Sequence, residues 1–298
     1  IDPDTGSTLE PEYPISDRSD VDAALAAGVA AAEDLRSTPV ESIARFLELY
    51  AELIEAEAGP ITEAAHRETA LPVAPRLVDI ELPRTTGQLR QAAAAARSRD
   101  WTAPTIDTGS GVRSMQGPLG APVAVFGPNN FPLAFNGVSG GDFAAAIATG
   151  NPVIAKAHPS HPRTTQRLAE AAARALSECG MPKGAVQMIY HVEPDDGRYL
   201  VSHPLLGATA FTGSRQGGLA LKAAADTAGK LFYAEMGSTN PVFILPGALR
   251  ERGAEIVDEL QGSALMAAGQ FCTNPGIIVL EAGAEAEELI AEMARRYE

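Results

Sequence analysis

Hydrophobic residues in the first hundred positions recur at the three- and four-residue spacing of amphipathic helices. The clearest case is Ser42 to Ala58, where the pattern predicts a helix with one apolar face. That face consists of Ile43, Phe46, Leu47, Tyr50 and Ile54. Further helices are predicted from Asp20 to Leu35, with an Asp-capped start, and from Leu82 to Arg97. These segments show no pattern of recognisable chemistry, so we expect them to pack a core.

The pattern changes after residue 120, following a stretch at 101–119 whose turn formers predict a loop or an extended hairpin. Short apolar runs then alternate with helical stretches. The predicted strands are Pro122–Phe126, Pro152–Lys156, Val186–Tyr190, Ala208–Phe211, Leu231–Ala234, Val242–Leu245 and Ile277–Leu280. The predicted helices are Asp142–Ala148, Arg163–Ser177, Arg198–Val201, Gly217–Ala228, Ala254–Ala268 and a last one at the C-terminal end. This order predicts an α/β protein with a doubly wound, Rossmann-like parallel sheet that binds ligands at the carboxyl ends of its strands.

Composition narrows the class of protein. The chain has 298 residues, 45% of them hydrophobic and 20% charged, as in ordinary globular proteins. Its net charge of −15 argues against binding to nucleic acid or an anionic membrane, because both require a basic surface. Only two cysteines are present, which fits a reducing compartment. No secretory signal or membrane-spanning run is evident, so we expect a cytoplasmic protein.

Polar and nucleophilic residues stand close to the ends of several predicted strands, where an α/β sheet places its reactive groups. They are Asn130, Lys156, Gly213, Ser214, Glu235 and Cys272. Each alone has an ordinary structural explanation. A free cysteine is usually a small buried hydrophobe, and an asparagine is a common turn residue.

The order and spacing of five segments nevertheless form a recognisable set. They are GPNNFP (127–132), KAHPSHP (156–162), FTGSRQGG (211–218), AEMGSTNP (234–241) and GQFCTNPG (269–276). Together they resemble the aldehyde dehydrogenase superfamily nearly end to end, and most closely its α-ketoglutaric semialdehyde (2,5-dioxopentanoate) dehydrogenase branch. Met236 and Ser238 depart from the usual Glu-Leu-Gly-Gly form of the fourth segment.

The resemblance implies oxidation of an aldehyde through a cysteine thiohemiacetal and a thioester. Cys272 would be the nucleophile, since a thiolate both attacks carbonyls and leaves from thioesters. The Asn130 amide and the Cys272 backbone N–H would stabilise the oxyanion. Glu235 would activate the hydrolytic water. Relatives that transfer the acyl group to coenzyme A tend to lack this glutamate, so a free carboxylate product is expected.

The resemblance also implies a nicotinamide cofactor, NADP or NAD, although no GxGxxG fingerprint is present. Lys156 corresponds to the family lysine that binds the adenosine ribose and is counted among the catalytic residues. The other expected cofactor-binding residues are Phe126, Gly127, Asn130, His158, Gly213, Ser214, Gly218, Glu235 and Gly237. NAD-preferring members often carry a Glu where this chain has Pro159, and without that negative charge we expect NADP to be accepted.

Two other residue types are assigned no chemistry. Cys179 ends a predicted helix without a family segment around it, and we interpret it as structural. His158 and His161 are separated by prolines and lack a third ligand nearby, so no metal site is predicted.

The resemblance suggests a division into parts. Residues 1–100 and 120–237 would form the NAD(P)-binding domain, 101–119 an oligomerisation hairpin, and 238–298 part of a catalytic domain. Family members are usually longer, so the rest of that domain would lie beyond Glu298. A small-molecule aldehyde and a homo-oligomer, dimer or tetramer, are the expected partners. Two alternatives stay open: a catalytically inactive nucleotide-binding relative or fragment, and a coenzyme A-acylating enzyme.

Overall fold

The computed structural model describes residues 1–297 and divides the chain into two compact units. The first runs from Ile1 to Glu235, and the second begins at Met236. This division lies close to the expected limit between residues 237 and 238. Residues 101–119 belong to the first unit.

The first unit opens with a helical region and a hairpin. The helices are α1 (Arg18–Leu35), α2 (Val40–Ala56), α3 (Ala58–Thr69) and α4 (Leu82–Ser98), with an irregular helical segment at Val73–Glu81. Strands β1 (Thr105–Asp107) and β2 (Val112–Ser114) then form an antiparallel hairpin, one of the two alternatives predicted for 101–119. All five apolar positions predicted for the second helix are buried, which confirms that amphipathic pattern.

A five-stranded sheet follows, in the order β5-β4-β3-β6-β7. Its strands are β3 (Val123–Phe126), β4 (Val153–Lys156), β5 (Val186–Ile189), β6 (Ala208–Gly213) and β7 (Leu231–Met236). The connecting helices are α5 (Gly141–Ala148), α6 (Pro162–Glu178), α7 (Pro194–Ser202) and α8 (Arg215–Thr227). The pairs β3–β4, β3–β6 and β4–β5 are parallel, so the predicted fold class is confirmed.

Both faces of the sheet are covered at the central strands β3 and β4. Val123, Val125 and Val153 point into the main core, which they share with α2, α4, α5 and α6. The intervening residues Ala124 and Ile154 are fully buried as well. Side chains alternate between the two faces of a strand, so burial of successive residues requires packing on each side. This explains why the strands consist of continuous apolar runs.

The second unit contains two parallel strands and two helices. Its strands β8 (Pro241–Ile244) and β9 (Ile277–Leu280) pair with each other, and its helices are α9 (Pro246–Leu265) and α10 (Ala284–Tyr297). A small core forms where the helices meet, around Leu249, Val257 and Leu289.

Several predicted helix starts are wrong, and each has a local cause. Helix α1 begins at Arg18 because Asp17 is its N-cap, while Asp20 completes a reciprocal capping box. Helix α9 begins at Pro246 rather than Ala254, with an irregular residue at Arg252 that interrupts the periodicity. Helix α3 was not predicted at all.

Candidate active site

The carboxyl edge of the five-stranded sheet brings several predicted site residues to one level. Phe126 is in register with Lys156 on one side and with Phe211 on the other. Strand β3 is central, and the chain continues first to β4 on one side and later to β6 on the other. Such a reversal of strand order leaves a crevice at the carboxyl ends, where α/β proteins bind ligands.

The segment after β3 is packed too closely for any side chain at Gly127. A Cβ atom there would lie 2.4 Å from the backbone oxygen of Phe135 and 3.0 Å from the nitrogen of Gly137. Only glycine permits such an approach of two backbone segments. Gly127 and Pro128 are buried, and Asn130 is half-buried. The loop that carries Asn130 is therefore tightly packed at its start.

Lys156 ends β4 beside the ring of Phe126, with 6.0 Å between its Nζ atom and the ring centroid. Burial lowers the pKa of Lys156 to about 8. Desolvation acts in this direction because it penalises the charged ammonium. At neutral pH the side chain is still largely a cationic hydrogen-bond donor, but one that deprotonates within the weakly alkaline range.

The two histidines after Lys156 are held close together. His158 and His161 stack with 5.2 Å between ring centroids, and Nε2 of His161 lies 3.0 Å from the Pro128 carbonyl oxygen. His158 Nδ1 accepts a hydrogen bond from the backbone N–H of Ser160. Burial lowers the pKa of His158 to about 3 and that of His161 to about 4, so both rings are neutral at pH 7. His161 thus links the KAHPSHP and GPNNFP segments, a role that the sequence reasoning missed.

A buried carboxylate caps the helix that follows these histidines. Glu68 accepts hydrogen bonds from the backbone N–H groups of Arg163 (2.8 Å) and Thr164 (2.9 Å) at the start of α6. The Thr164 hydroxyl donates to the same carboxylate at 2.7 Å. Burial raises the pKa of Glu68, and these hydrogen bonds oppose that effect. The N-terminus of α6 is therefore satisfied by the chain's own carboxylate.

Helix α8 begins differently, directly after β6. Its N-cap is Ser214, whose hydroxyl accepts from the backbone N–H of Gly217 at 3.2 Å. The helix starts two residues before the predicted Gly217 because Ser214 takes this capping role. A Cβ on Gly213 would lie 2.9 Å from the Phe211 ring, and Gly218 is buried. The structure thus places an exposed, serine-capped helix start at the carboxyl edge.

Glu235 lies near the end of β7 with an exposed side chain. Partial desolvation, with the charge of Glu235 as the second cause, raises the pKa of Asp142 at the start of α5. The Glu235 carboxylate is therefore close enough to α5 to influence a second acidic group.

Cys272 belongs to the second unit, where it is exposed in a turn before β9. Asn240 binds this turn through its side-chain amide, which donates to the carbonyls of Cys272 (2.6 Å) and Asn274 (2.9 Å). The Asn274 amide in turn donates to the carbonyls of Ala264 (3.1 Å) and Gly269 (2.9 Å). Gly237 lies in the exposed segment just before Asn240.

The sequence reasoning missed Asn240 and Asn274 as well. A signal was present, because Thr-Asn-Pro occurs twice, at 239–241 and at 273–275. Asparagine amides commonly bond nearby backbone in turns, so the repeat could have indicated two linked turns.

Cys179 has a different environment. It caps the C-terminus of α6, packs against the main core and is half-buried. Burial raises the pKa of its thiol, which disfavours the reactive thiolate. This placement agrees with a structural role.

Residues 1–297 contain neither a grouped set of metal ligands nor a helix that could span a membrane. Within that range, no three His, Cys, Asp or Glu side chains are grouped so that they could hold a metal ion. No helix in the same range is both long and apolar enough for a membrane span.

Strand order and edge geometry define a doubly wound α/β protein. The model of the aldehyde dehydrogenase family matches residues 1–298. The chain therefore belongs to the aldehyde dehydrogenase family.

Relatives in sequence and in structure agree with this membership. Alpha-ketoglutaric semialdehyde dehydrogenase 2 of Azospirillum brasilense is 40% identical over 291 residues, which cover 94% of this chain and 55% of that protein. A putative aldehyde dehydrogenase from Burkholderia cenocepacia has a TM-score of 0.83 at 20% identity, covering 100% of this chain and 60% of the other. Glyceraldehyde-3-phosphate dehydrogenase GapN from Methanocaldococcus jannaschii, complexed with NADP, has a TM-score of 0.80 at 20% identity, covering 97% and 60%. The chain thus spans about 55% of the length of its curated relative.

Proposed function

We propose that the protein oxidises an aldehyde to a carboxylate with NADP or NAD as the hydride acceptor. The observation that carries this proposal is the register that aligns Phe126, Lys156 and Phe211 at the point where the strand order reverses. Family membership and the named semialdehyde dehydrogenase relative support the reaction type. The GapN relative is described in complex with NADP, which supports the cofactor class.

The residues at the carboxyl edge fit a dinucleotide. The N–H groups at the start of α8 suit a pyrophosphate, because a helix N-terminus attracts anions. Lys156 supplies a cationic donor for a ribose hydroxyl or a 2′-phosphate. Since His158 Nδ1 accepts from Ser160, the neutral ring carries its proton on Nε2, and no carboxylate stands at Pro159 to repel a 2′-phosphate. The proposed cofactor set is completed by Phe126, Gly127, Asn130, Gly213, Ser214, Gly218, Glu235 and Gly237.

The proposed chemistry begins at Cys272. Its thiolate sulfur forms a bond to the aldehyde carbon, and the carbonyl electron pair moves to oxygen, where the Asn130 amide and the Cys272 N–H stabilise it. As the oxyanion re-forms the C=O bond, this carbon releases a hydride, which a bound NADP or NAD would accept, and Cys272 holds the acyl group as a thioester. Glu235 then takes one proton from water as the water oxygen attacks the thioester, and the C–S bond breaks to give the carboxylic acid and the free thiolate; the acid releases its remaining proton to solvent as the carboxylate forms.

In our proposal the two units have different roles in the reaction. The first unit holds the cofactor, and the second belongs to the catalytic domain that contributes Cys272. The hairpin β1–β2 exposes Ile106 and Val112, which are 70% and 57% accessible. We assign this apolar surface to assembly of a homo-oligomer, a dimer or tetramer. The two unpaired cysteines support a cytoplasmic location.

The substrate we propose is α-ketoglutaric semialdehyde, on the basis of the 40% identity to the Azospirillum brasilense enzyme. The test uses protein expressed from its complete gene, with this semialdehyde, uncharged aldehydes of similar length, and each cofactor. We expect oxidation without coenzyme A and a higher kcat/KM with NADP than with NAD. A strong NAD preference would contradict the cofactor assignment, and dependence on coenzyme A would identify an acylating enzyme.

Two variants test the residue roles. Cys272→Ala should abolish oxidation while cofactor binding persists, and Cys179→Ala is the matched control that should keep full activity. Glu235→Gln should give one burst of reduced cofactor and then stall at the thioester. Normal steady-state turnover of Glu235→Gln would remove the general-base assignment. Cofactor binding without turnover in the unmodified protein would show an inactive relative.

A further inference from the structure

A buried carboxylate outside the proposed chemistry contacts the loop that carries Asn130. Glu81 is fully buried at the end of the segment Val73–Glu81. Its Oε1 atom accepts hydrogen bonds from the backbone N–H groups of Leu133 (2.7 Å) and Ala134 (3.0 Å). Its Oε2 atom accepts from Nη1 of Arg76 at 2.6 Å.

Arg76 binds the same loop nearer its start. Its Nη2 atom donates to the backbone carbonyl of Asn130 at 3.0 Å, and its guanidinium carbon lies 4.4 Å from the Phe131 ring centroid. The Arg76 side chain is only 13% exposed. One ion pair therefore binds both ends of residues 130–134.

Arg76 contacts Asn130 through the backbone carbonyl of that residue. This contact fixes the position of Asn130 and does not use its side-chain amide. Desolvation raises the pKa of Glu81, while Arg76 and the two backbone N–H groups oppose that rise. A buried pair is tolerated when its hydrogen bonds are satisfied in this way, and loss of one partner leaves an uncompensated charge. The pair therefore fixes the loop strongly.

We propose that Arg76 and Glu81 are positioning residues that hold the Asn130 amide where the oxyanion develops. This inference rests on the proposed function, specifically on the role of Asn130. A donor to an oxyanion must lie within hydrogen-bond distance of it, and a displacement of about 1 Å can reduce the rate about 100-fold. Because the oxyanion exists only after attack, kcat should fall while the KM for aldehyde changes little.

The test is a double-mutant cycle on protein expressed from its complete gene. Arg76→Lys keeps the charge but loses the forked geometry, and Glu81→Gln keeps the shape but loses the charge. Each should lower kcat about 100-fold, with the KM for aldehyde within about threefold of the starting value. In an Asn130→Ala background, the same substitutions should lower kcat by less than about twofold, because the positioned group is absent. Arg90→Met, which breaks the exposed Arg90–Glu55 pair, is the control that should leave kcat unchanged.

Each outcome decides a separate point. The positioning role would be overturned if the Arg76 and Glu81 substitutions still lowered kcat about 100-fold in the Asn130→Ala background. It would also be overturned if the loss of kcat matched the loss of folded protein measured by circular dichroism. If Arg76→Lys does not fold, Glu81→Gln alone still completes the cycle. If neither folds, the pair is structural and the inference fails. Full activity of Asn130→Ala would instead refute the proposed function of Asn130.

Discussion

The side-chain amide of Asn240 donates a hydrogen bond to the backbone carbonyl of Cys272, with 2.6 Å between the two atoms. The same amide donates to the carbonyl of Asn274, so one side chain binds both sides of the turn that carries Cys272, the nucleophile of our proposal. Asn240→Ala should therefore loosen the turn. We expect kcat to fall about 10- to 100-fold, because a misplaced nucleophile loses the aligned attack geometry.

Ser238→Ala provides the comparison for this variant. It removes the 3.4 Å hydrogen bond from the Asn240 backbone N–H to the Ser238 hydroxyl, but it keeps the Asn240 side-chain amide and the bond of that amide to the Ser238 carbonyl at 3.3 Å. The measurements are steady-state kcat and the rate of Cys272 alkylation by iodoacetamide. Equal behaviour of the two variants would show that the Asn240 amide does not position Cys272.

Cofactor affinity should depend on pH through Lys156. Its pKa of about 8 means that the ammonium is present below pH 8 and is lost above it. The Kd for NADP should therefore rise above pH 8, by up to about tenfold per pH unit, until only the charge-independent contacts remain. Lys156→Arg keeps its charge across this range and should show no such rise. Fluorescence titrations between pH 7 and pH 9.5 measure the Kd for NADP of the unmodified protein and of Lys156→Arg. A Kd of the unmodified protein that does not change with pH would contradict the assignment of Lys156 to cofactor binding.

Stability should decrease on acidification because His161 is buried in its neutral form. The pKa of His161 is about 4 in the folded protein, below the 6.5 of a histidine in the unfolded chain. Above pH 6.5 neither state binds the proton, whereas between pH 6.5 and about 4 only the unfolded state does. The free energy of unfolding should thus fall by up to about 1.4 kcal/mol per pH unit for this group.

His161→Gln tests that slope, because glutamine can still donate to the Pro128 carbonyl but does not titrate. Urea unfolding at several pH values should show a shallower loss of stability for this variant. An unchanged slope would assign the acid sensitivity to other groups.

The close backbone approach at Gly127 gives a further prediction. In Gly127→Ala the new Cβ would lie 2.4 Å from the Phe135 oxygen, so the loop would have to move. We expect destabilisation by about 1–3 kcal/mol, together with reduced activity. Gly117→Ala is the matched control, because no atom lies within 4 Å of its added Cβ. A denaturation midpoint for Gly127→Ala equal to that of the control would contradict the packing described.

The sequence predicted correctly those helices and strands that depend on residues close to one another along the chain. The apolar face of α2 follows from side-chain spacing, and the range Ile277–Leu280 of β9 was predicted without error because a short apolar run lies between turns. The start of α1 was misplaced because Asp17 and Asp20 both suit a cap, and the reciprocal bonds that decide between them appear only in three dimensions.

Long-range partners could not be predicted in this way. The carboxylate of Glu81 binds backbone groups more than fifty positions away, at Leu133 and Ala134, and a backbone N–H leaves no trace in the amino-acid sequence. The contact between His161 and the Pro128 carbonyl could not be predicted either, because it too involves a backbone group far away in the sequence. The identities of the proposed reactive residues followed from family segments, whereas the residues that hold them required coordinates.

Glu68 has one more consequence, for the selection of ligands. Its carboxylate already occupies the anion-attracting end of α6, where it accepts from the N–H groups of Arg163 and Thr164. An incoming phosphate would meet an internal competitor there, and repulsion in addition, whereas the start of α8 carries only the neutral Ser214 cap. The carboxylate of Glu68 thus keeps phosphate away from the start of α6, which supports our proposal that the pyrophosphate binds at the start of α8.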